Sequence, residues 1–218
     1  MRIHLKINGP EELIPFNHQH LLTGAIHKWI GRNDEHGKLS LYSFSRLEKG
    51  NAFKDGLRFE GGARMFFSAI DDGLIKKVIA GIQKDPTMFN GLKVSEIIIQ
   101  EDPDFSKQDF FMAASPVFIK RRVDDEIKHI KFDHPQAGSY LVETLRSKMK
   151  LIGIKDDSLA IQFDLTYPNP KTTVVAYKSV LNRANVCPVI VKGLPETKVF
   201  AWNVGLGNST GIGFGAIR

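Results

Sequence analysis

Arg2-Ile-His-Leu-Lys-Ile-Asn8, followed by Ile14-Pro-Phe-Asn-His-Gln-His-Leu-Leu-Thr-Gly-Ala-Ile-His-Lys-Trp-Ile30, opens the chain and decides its fold class. In the first stretch Ile3, Leu5 and Ile7 alternate with Arg2, His4 and Lys6, the period-two pattern of a half-buried strand. In the second, Pro10 and Pro15 bound a loop, Asn17 is a suitable N-cap, and the spacing predicts a helix over about 17–31. Its apolar stripe is Leu21, Leu22, Ala25, Ile26, Trp29 and Ile30, with His20, Thr23, Gly24, His27 and Lys28 on the opposite side.

Working outward, residues 39–45 alternate as a strand, and 56–61 and 63–70 read as two more around Gly61-Gly62. Asp71-Asp72 opens a helix over 72–84 with Leu74, Ile75, Val78, Ile79 and Ile82 inward, and a strand over 92–100 follows. The order βαββαβ is that of a ferredoxin-like domain, here residues 1–103. Polar residues 101–107 read as a linker. A second unit, 107–218, starts with a strand over 109–119 that ends in Lys120-Arg121-Arg122. A shorter strand at 127–132 and a helix at 135–152 come next, with Tyr140, Leu141, Leu145, Met149 and Ile152 inward. The remainder reads as strand: 158–167, 171–181, a turn at Asn182-Arg-Ala-Asn185, 186–192, 197–204 and a short final strand. No second helix is visible there. The expected class is α+β, two tandem ferredoxin-like (RRM-like) domains, the second with a degenerate helix pattern and a glycine-rich C-terminal loop.

Composition narrows the functions. The chain has 218 residues, 42% hydrophobic and 25% charged, enough to bury a core. A net charge of +6 and a pI near 9.3 favour a polyanionic partner. The single cysteine, Cys187, excludes an internal disulfide and a cysteine-rich metal site. No apolar run approaches the ~20 residues of a membrane span, and Met1–Ile7 alternates instead of forming a signal peptide. A cytoplasmic location without a membrane partner is expected.

The tail is Gly205-Leu-Gly-Asn-Ser-Thr-Gly-Ile-Gly-Phe-Gly215, with glycines at 205, 207, 211, 213 and 215. Such density means positive φ or very close approach to other atoms. A dinucleotide fingerprint would need a helix opening from the glycines and an acid beyond it. A Walker-type loop would need Gly-Lys-Ser/Thr. Neither is present, so no nucleotide cofactor is expected. Two readings stay open: glycines serving turns and bulges, or backbone N–H groups forming a concavity for a polyanion.

Seven histidines invite a metal, but their spacing opposes one. His18 and His20 point to different helix faces, and His20 and His27 are two turns apart. No Gly-x-Ser-x-Gly elbow is present either. Cutting RNA without metal needs a base for the ribose 2′-OH, an acid for the 5′-oxygen and a cation for the phosphorane. Histidine suits the first two and lysine the third. His27, His36 and Lys38, with Tyr42 following, place such groups on the first helix, the loop after it and the start of the next strand. Basic residues cluster at Lys120-Arg121-Arg122, along the hairpin at Lys178, Arg183 and Lys192, and on one helix at Arg146, Lys148 and Lys150. Each cluster is either solvated surface or a phosphate contact.

Together, the first strand, the segment Ile14–Ile30, a loop histidine, Ser115-Pro116-Val117 and the glycine tail resemble the CRISPR repeat-RNA endoribonucleases of the RAMP superfamily. The resemblance covers the whole chain. It implies two tandem ferredoxin-like domains and metal-independent cleavage of precursor CRISPR RNA within each repeat, leaving a 5′-hydroxyl and a 2′,3′-cyclic phosphate or 3′-phosphate. Carried over by position, the family's loop histidine is His36, its helix-borne partner (often tyrosine) is His27, and its lysine is Lys38. Which histidine is base and which acid stays open. The expected RNA contacts are Lys120, Arg121, Arg122, Lys178 and Arg183 with Gly205, Gly207, Asn208, Gly211, Gly213 and Gly215. Implied partners are CRISPR repeat RNA and effector-complex subunits, with the chain a monomer or homodimer. Related RAMP subunits bind RNA without cutting it, the alternative that His27, His36 and Lys38 argue against.

Overall fold

The structure, a computed structural model, describes residues 1–9, 12–31 and 39–218. β1 (Arg2–Asn8) leads into α1 (Gln19–Ile30), β2 (Tyr42–Phe44) and a small hairpin of β3 (Asn51–Phe53) and β4 (Gly56–Arg58). β5 (Ala63–Ala69), α2 (Asp72–Lys84) and β6 (Lys93–Gln100) complete the first unit. Its sheet runs β2-β5-β1-β6, antiparallel throughout. Leu22, Ile26 and Trp29 of α1 and Ile75, Val78 and Ile82 of α2 bury against Ile3, Leu5 and Ile7 of β1. Asp71 caps α2 by accepting the Gly73 N–H at 2.8 Å. α1 starts later than expected, with His18 in the N-cap position and no capping side chain.

The second unit repeats this plan with two insertions. β7 (Phe110–Phe111) is followed by a hairpin of β8 (Lys120–Val123) and β9 (Glu126–His129), then α3 (Ala137–Leu151) and β10 (Ala160–Phe163). A second hairpin, β11 (Lys171–Tyr177) and β12 (Val180–Val186), precedes β13 (Val189–Lys192) and α4 (Pro195–Val204). The sheet runs β10-β13-β7. The C-terminus extends it: Met112 and Arg218 exchange backbone bonds of 2.8 and 2.9 Å, and Ala113 bridges Ile217. Counting that edge, its strands follow the same spatial order as those of the first sheet.

Four expectations need correction. Residues 197–204, read as strand, are helix α4. Phe200, Ala201, Trp202, Asn203 and Val204 are all buried, and a helix buried on every side shows no 3.6-residue alternation of apolar and polar residues. The legible signal was Pro195 at its first turn. The second unit therefore does have its second helix. The turn placed at 182–185 falls instead at Lys178–Ser179, where Tyr177 pairs Val180. Asn182 and Asn185 are buried donors within β12, Asn185 bonding the Val117 and Ile130 carbonyls at 3.1 Å each. The strand at 109–119 is regular only over Phe110–Phe111. Beyond Pro116, which has no N–H, Val117 bridges Asn185 and Phe118 bridges Gly207. Of residues 56–61 only Gly56–Arg58 is strand, the short β4, paired to β3 rather than to the main sheet.

Arg2 ties the two sheets together. Its guanidinium lies 3.7 Å from the Phe66 ring centroid and 3.5 Å from that of Trp202. It donates to Ser68 Oγ, the Trp202 carbonyl and the Ile217 carbonyl. Ser43 Oγ adds a 3.0 Å bond to the Asn203 carbonyl, so α4 packs against the first sheet's edge. Among the described residues no helix is long and apolar enough to cross a membrane.

Candidate active site

Gln19, Thr23 and His27 recur every four residues and so line one stripe of α1. That stripe is where the C-terminal tail docks. Gln19 Nε2 and Thr23 Oγ1 donate to the Ile212 carbonyl at 3.0 and 3.3 Å. His27 Nε2 lies 3.3 Å from the Gly211 carbonyl oxygen, and Tyr42 Oη lies 3.2 Å from the same nitrogen. Tyr42 also donates to the Gly211 carbonyl at 3.3 Å. A carbonyl can only accept, so in a hydrogen bond to Gly211 the His27 Nε2–H is the donor. Tyr42 follows His27, His36 and Lys38 in the sequence, and its contacts with His27 and the Gly211 carbonyl give it a part in the site. His36 and Lys38 lie outside the described residues.

The tail is held by protein atoms on nearly every side. Gly205, Gly207, Gly211, Gly213 and Gly215 are all buried. Gly207 (φ +76°) and Gly215 (φ +70°) sit in the left-handed region, where added Cβ atoms would overlap the Phe118 and Leu206 carbonyl oxygens. The close approach expected of these glycines is therefore to the chain itself. Their burial does not favour direct RNA contact. Asn208 and Ser209 form the outward part, and Asn208 Oδ1 accepts from the Lys120 N–H at 2.8 Å and from Arg121 Nη1 at 3.4 Å.

Beneath the loop lies Lys148, 3% exposed. Its Nζ donates to the Val204 carbonyl at 2.9 Å, the Gly205 carbonyl at 3.4 Å and Thr210 Oγ1 at 2.9 Å. Lys148 thus joins α3 to the carbonyl end of α4 and to the 3₁₀ turn Thr210–Ile212 that carries Gly211. Burial lowers its pKa to about 7. Reading it with Arg146 and Lys150 as a surface cluster was mistaken. Lys148 shares the inward stripe of Leu141, Leu145 and Met149, a position the helical period makes legible.

The other basic residues separate into two groups. Arg121 turns inward, bonding the Tyr140 carbonyl at 2.8 Å and Glu143 at 3.2 Å, with its guanidinium over the Tyr140 ring. Lys120, Arg122, Lys178 and Arg183 are exposed. Lys120 and Arg183 come together around His129, whose Nδ1 accepts the Arg183 N–H at 3.2 Å. The His129 pKa is lowered by burial first and then by those two cations. Lys178 sits at the far tip of the β11–β12 hairpin. Among the described residues no three His, Cys, Asp or Glu side chains are grouped to hold a metal ion.

Two ferredoxin-like units, closed by a glycine loop that seats a helix-borne histidine, define a protein of the tandem RAMP architecture. Residues 100–218 match the family described as CRISPR associated protein Cas6, C-terminal, and the chain belongs to that family. It is 23% identical to the CRISPR-associated endoribonuclease Cas6 1 of Methanocaldococcus jannaschii, across the whole chain and 92% of that protein. Among solved structures, one described as CRISPR associated protein Cas6 superposes with a TM-score of 0.82 at 22% identity, covering 100% of this chain and 98% of the other. A Cas6-related protein of Pyrococcus furiosus gives 0.83 at 20%, covering 100% and 97%. A RAMP protein described as binding different RNA substrates gives 0.83 at 18%, covering 100% and 98%.

Proposed function

We propose that this chain is a metal-independent endoribonuclease that cuts precursor CRISPR RNA within its repeats, built as two domains of residues 1–103 and 107–218. The observation that carries the reading is His27, set by the Gly211 carbonyl and Tyr42 at the junction of α1, β2 and the glycine loop. The relative from M. jannaschii, named as an endoribonuclease, supports it. In this scheme His27 or His36 removes the proton of the ribose 2′-OH, and the 2′-oxygen attacks the adjacent phosphorus. The bond to the 5′-oxygen breaks and the other histidine protonates that oxygen. Lys38 stabilises the phosphorane charge. The products are a 2′,3′-cyclic phosphate, which water can open to a 3′-phosphate, and a 5′-hydroxyl. CRISPR repeat RNA is the partner, held in part by Lys120, Arg122 and Arg183. Effector-complex subunits are further partners, the chain acts in the cytoplasm, and it is a monomer or a homodimer.

The test uses repeat RNA with a single deoxyribose upstream of the cut, beside the all-ribose parent, each with and without EDTA. Cleavage of the parent alone, unchanged by chelator, is expected. Cutting of the deoxy RNA assigns the attack to water, and loss of activity in EDTA restored by Mg²⁺ assigns it to a metal. Tight binding of the parent without any cleavage favours the non-catalytic RAMP subunit.

A further inference from the structure

A cavity of about 500 Å³ opens between the start of α1, the segment after β2 and strand β11. Its wall includes Phe16, Gln19, Arg46, Lys49 and Val174, and no acidic residue. Arg46 is half-buried, and its guanidinium has no hydrogen-bond, ion-pair or aromatic partner among the described residues. Among the described residues the other buried or half-buried arginines all have partners. Arg2 and Arg121 are bonded as described above, and Arg58 lies over the Phe53 ring with Glu60 at 3.9 Å. Burial without a compensating anion holds the Arg46 pKa below its ordinary value. α1 also begins here with no capping side chain and no acid in its first turn, so its positive pole is uncompensated. Beside these cations Phe16 is 56% exposed and Val174 52%, an apolar surface next to an unsatisfied positive charge.

An aromatic ring for a base and an unpaired guanidinium for a phosphate are what one nucleotide of a single strand requires. The cavity is coupled to the candidate active site through α1. Gln19 lines it, and His27 lies eight residues further on the same stripe, about 12 Å away at 1.5 Å per residue. We propose that this groove is a nucleotide subsite for the RNA strand, with a phosphate on Arg46 and its base against Phe16, a few nucleotides from the bond cut beside His27. The proposal rests on the reading of the chain as a repeat-RNA nuclease.

The test measures binding of uncleavable, 2′-deoxy-substituted repeat RNA to the wild-type chain, Arg46→Gln and Phe16→Ala, at several salt concentrations. Because the Arg46 guanidinium bonds to no group among the described residues, Arg46→Gln should fold normally, checked by thermal melting. It should weaken binding and reduce the log–log salt slope by about 0.7, the single-strand value for one phosphate. Phe16→Ala should weaken binding about fivefold or more with the slope unchanged. A scan of neutral methylphosphonate linkages should find one position, within about two to four nucleotides of the cut at 3.4 Å or more per step, that weakens wild-type binding but not that of Arg46→Gln. An unchanged salt slope for Arg46→Gln, or a scan with no such position, overturns the subsite. Wild-type protein that binds but does not cut the all-ribose RNA overturns the nuclease reading and leaves the subsite standing on the binding data. If the wild-type chain binds no repeat RNA, both fall.

Discussion

Replacing Lys148 by methionine removes the amine under the glycine loop and keeps most of the aliphatic stem. Three acceptors then lose their donor: the Val204 and Gly205 carbonyls and Thr210 Oγ1. The size of the loss depends on pH in a way specific to this lysine. Its pKa falls from 10.5 in the unfolded chain to about 7 in the folded one, because burial penalises the ammonium. Between those values the unfolded chain binds a proton that the folded chain does not, so this group's contribution to stability rises with pH. Below pH 7 both states are protonated and the full penalty applies; above 10.5 neither is and it vanishes. Neutral Lys148 still suits the site, since its two N–H groups serve the two carbonyls and its lone pair can accept the Thr210 hydroxyl proton. The stability difference between wild type and Lys148→Met should therefore move in favour of wild type by about 1.4 kcal/mol per pH unit above pH 7. Because the group is half titrated at pH 7, that is about 2.3 kcal/mol between pH 7 and pH 9, or roughly 5–9 °C in relative Tm for a chain of this size. Denaturant unfolding of both proteins from pH 5.5 to 9.5 measures it, and other titrating groups cancel in the difference. A difference that stays flat from pH 7 to 9.5 refutes the reasoning: Lys148 would then titrate alike in both states.

The remaining predictions concern the site and its supports. His27→Ala should slow single-turnover cleavage by roughly 10²-fold, the usual worth of a positioned acid or base, while uncleavable RNA still binds; Tyr42→Phe, which only loosens the setting of His27, should slow it less. Lys120→Gln with Arg183→Gln should lower the salt slope of RNA binding by about 1.4 to 1.8 if both touch phosphates, whereas Arg121→Gln should lower Tm, because that guanidinium is bonded within the fold. Gly215→Ala forces a side chain into left-handed backbone against the Leu206 carbonyl, and should cost at least about 2 kcal/mol of stability, most of it strain. Unchanged melting of that variant would show that the loop can shift without penalty.

The parts of the fold that were legible in the sequence are those with one wet face. β1 and α2 alternate because one side meets water, and their observed ranges, Arg2–Asn8 and Asp72–Lys84, match the expected 2–8 and 72–84. α4 was illegible for the opposite reason, since burial on all sides leaves no periodicity to read. Asn182 and Asn185 misled because a buried amide that satisfies neighbouring carbonyls has the same letter as a turn residue.

The candidate site divides along similar lines. Glycine density correctly signalled close approach, but sequence carries no information about which atoms approach. The partners turn out to be Leu206, Phe118, Gln19 and Ser40 of the chain itself. The polar side of α1 was expected to face away from the apolar stripe, and it does; what covers it is a tail 193 residues downstream, counted from Gln19 to Ile212. That separation gives the site its dependence on the whole chain. His27 comes from the first unit, Gly211 from the last residues of the second, and Lys148 fixes the turn between them from a third element. A histidine seated against a carbonyl from the far end of the chain is set only when both units have folded and docked. Damage to α4 or to the bonds of Lys148 should therefore be felt at His27 even though neither touches it.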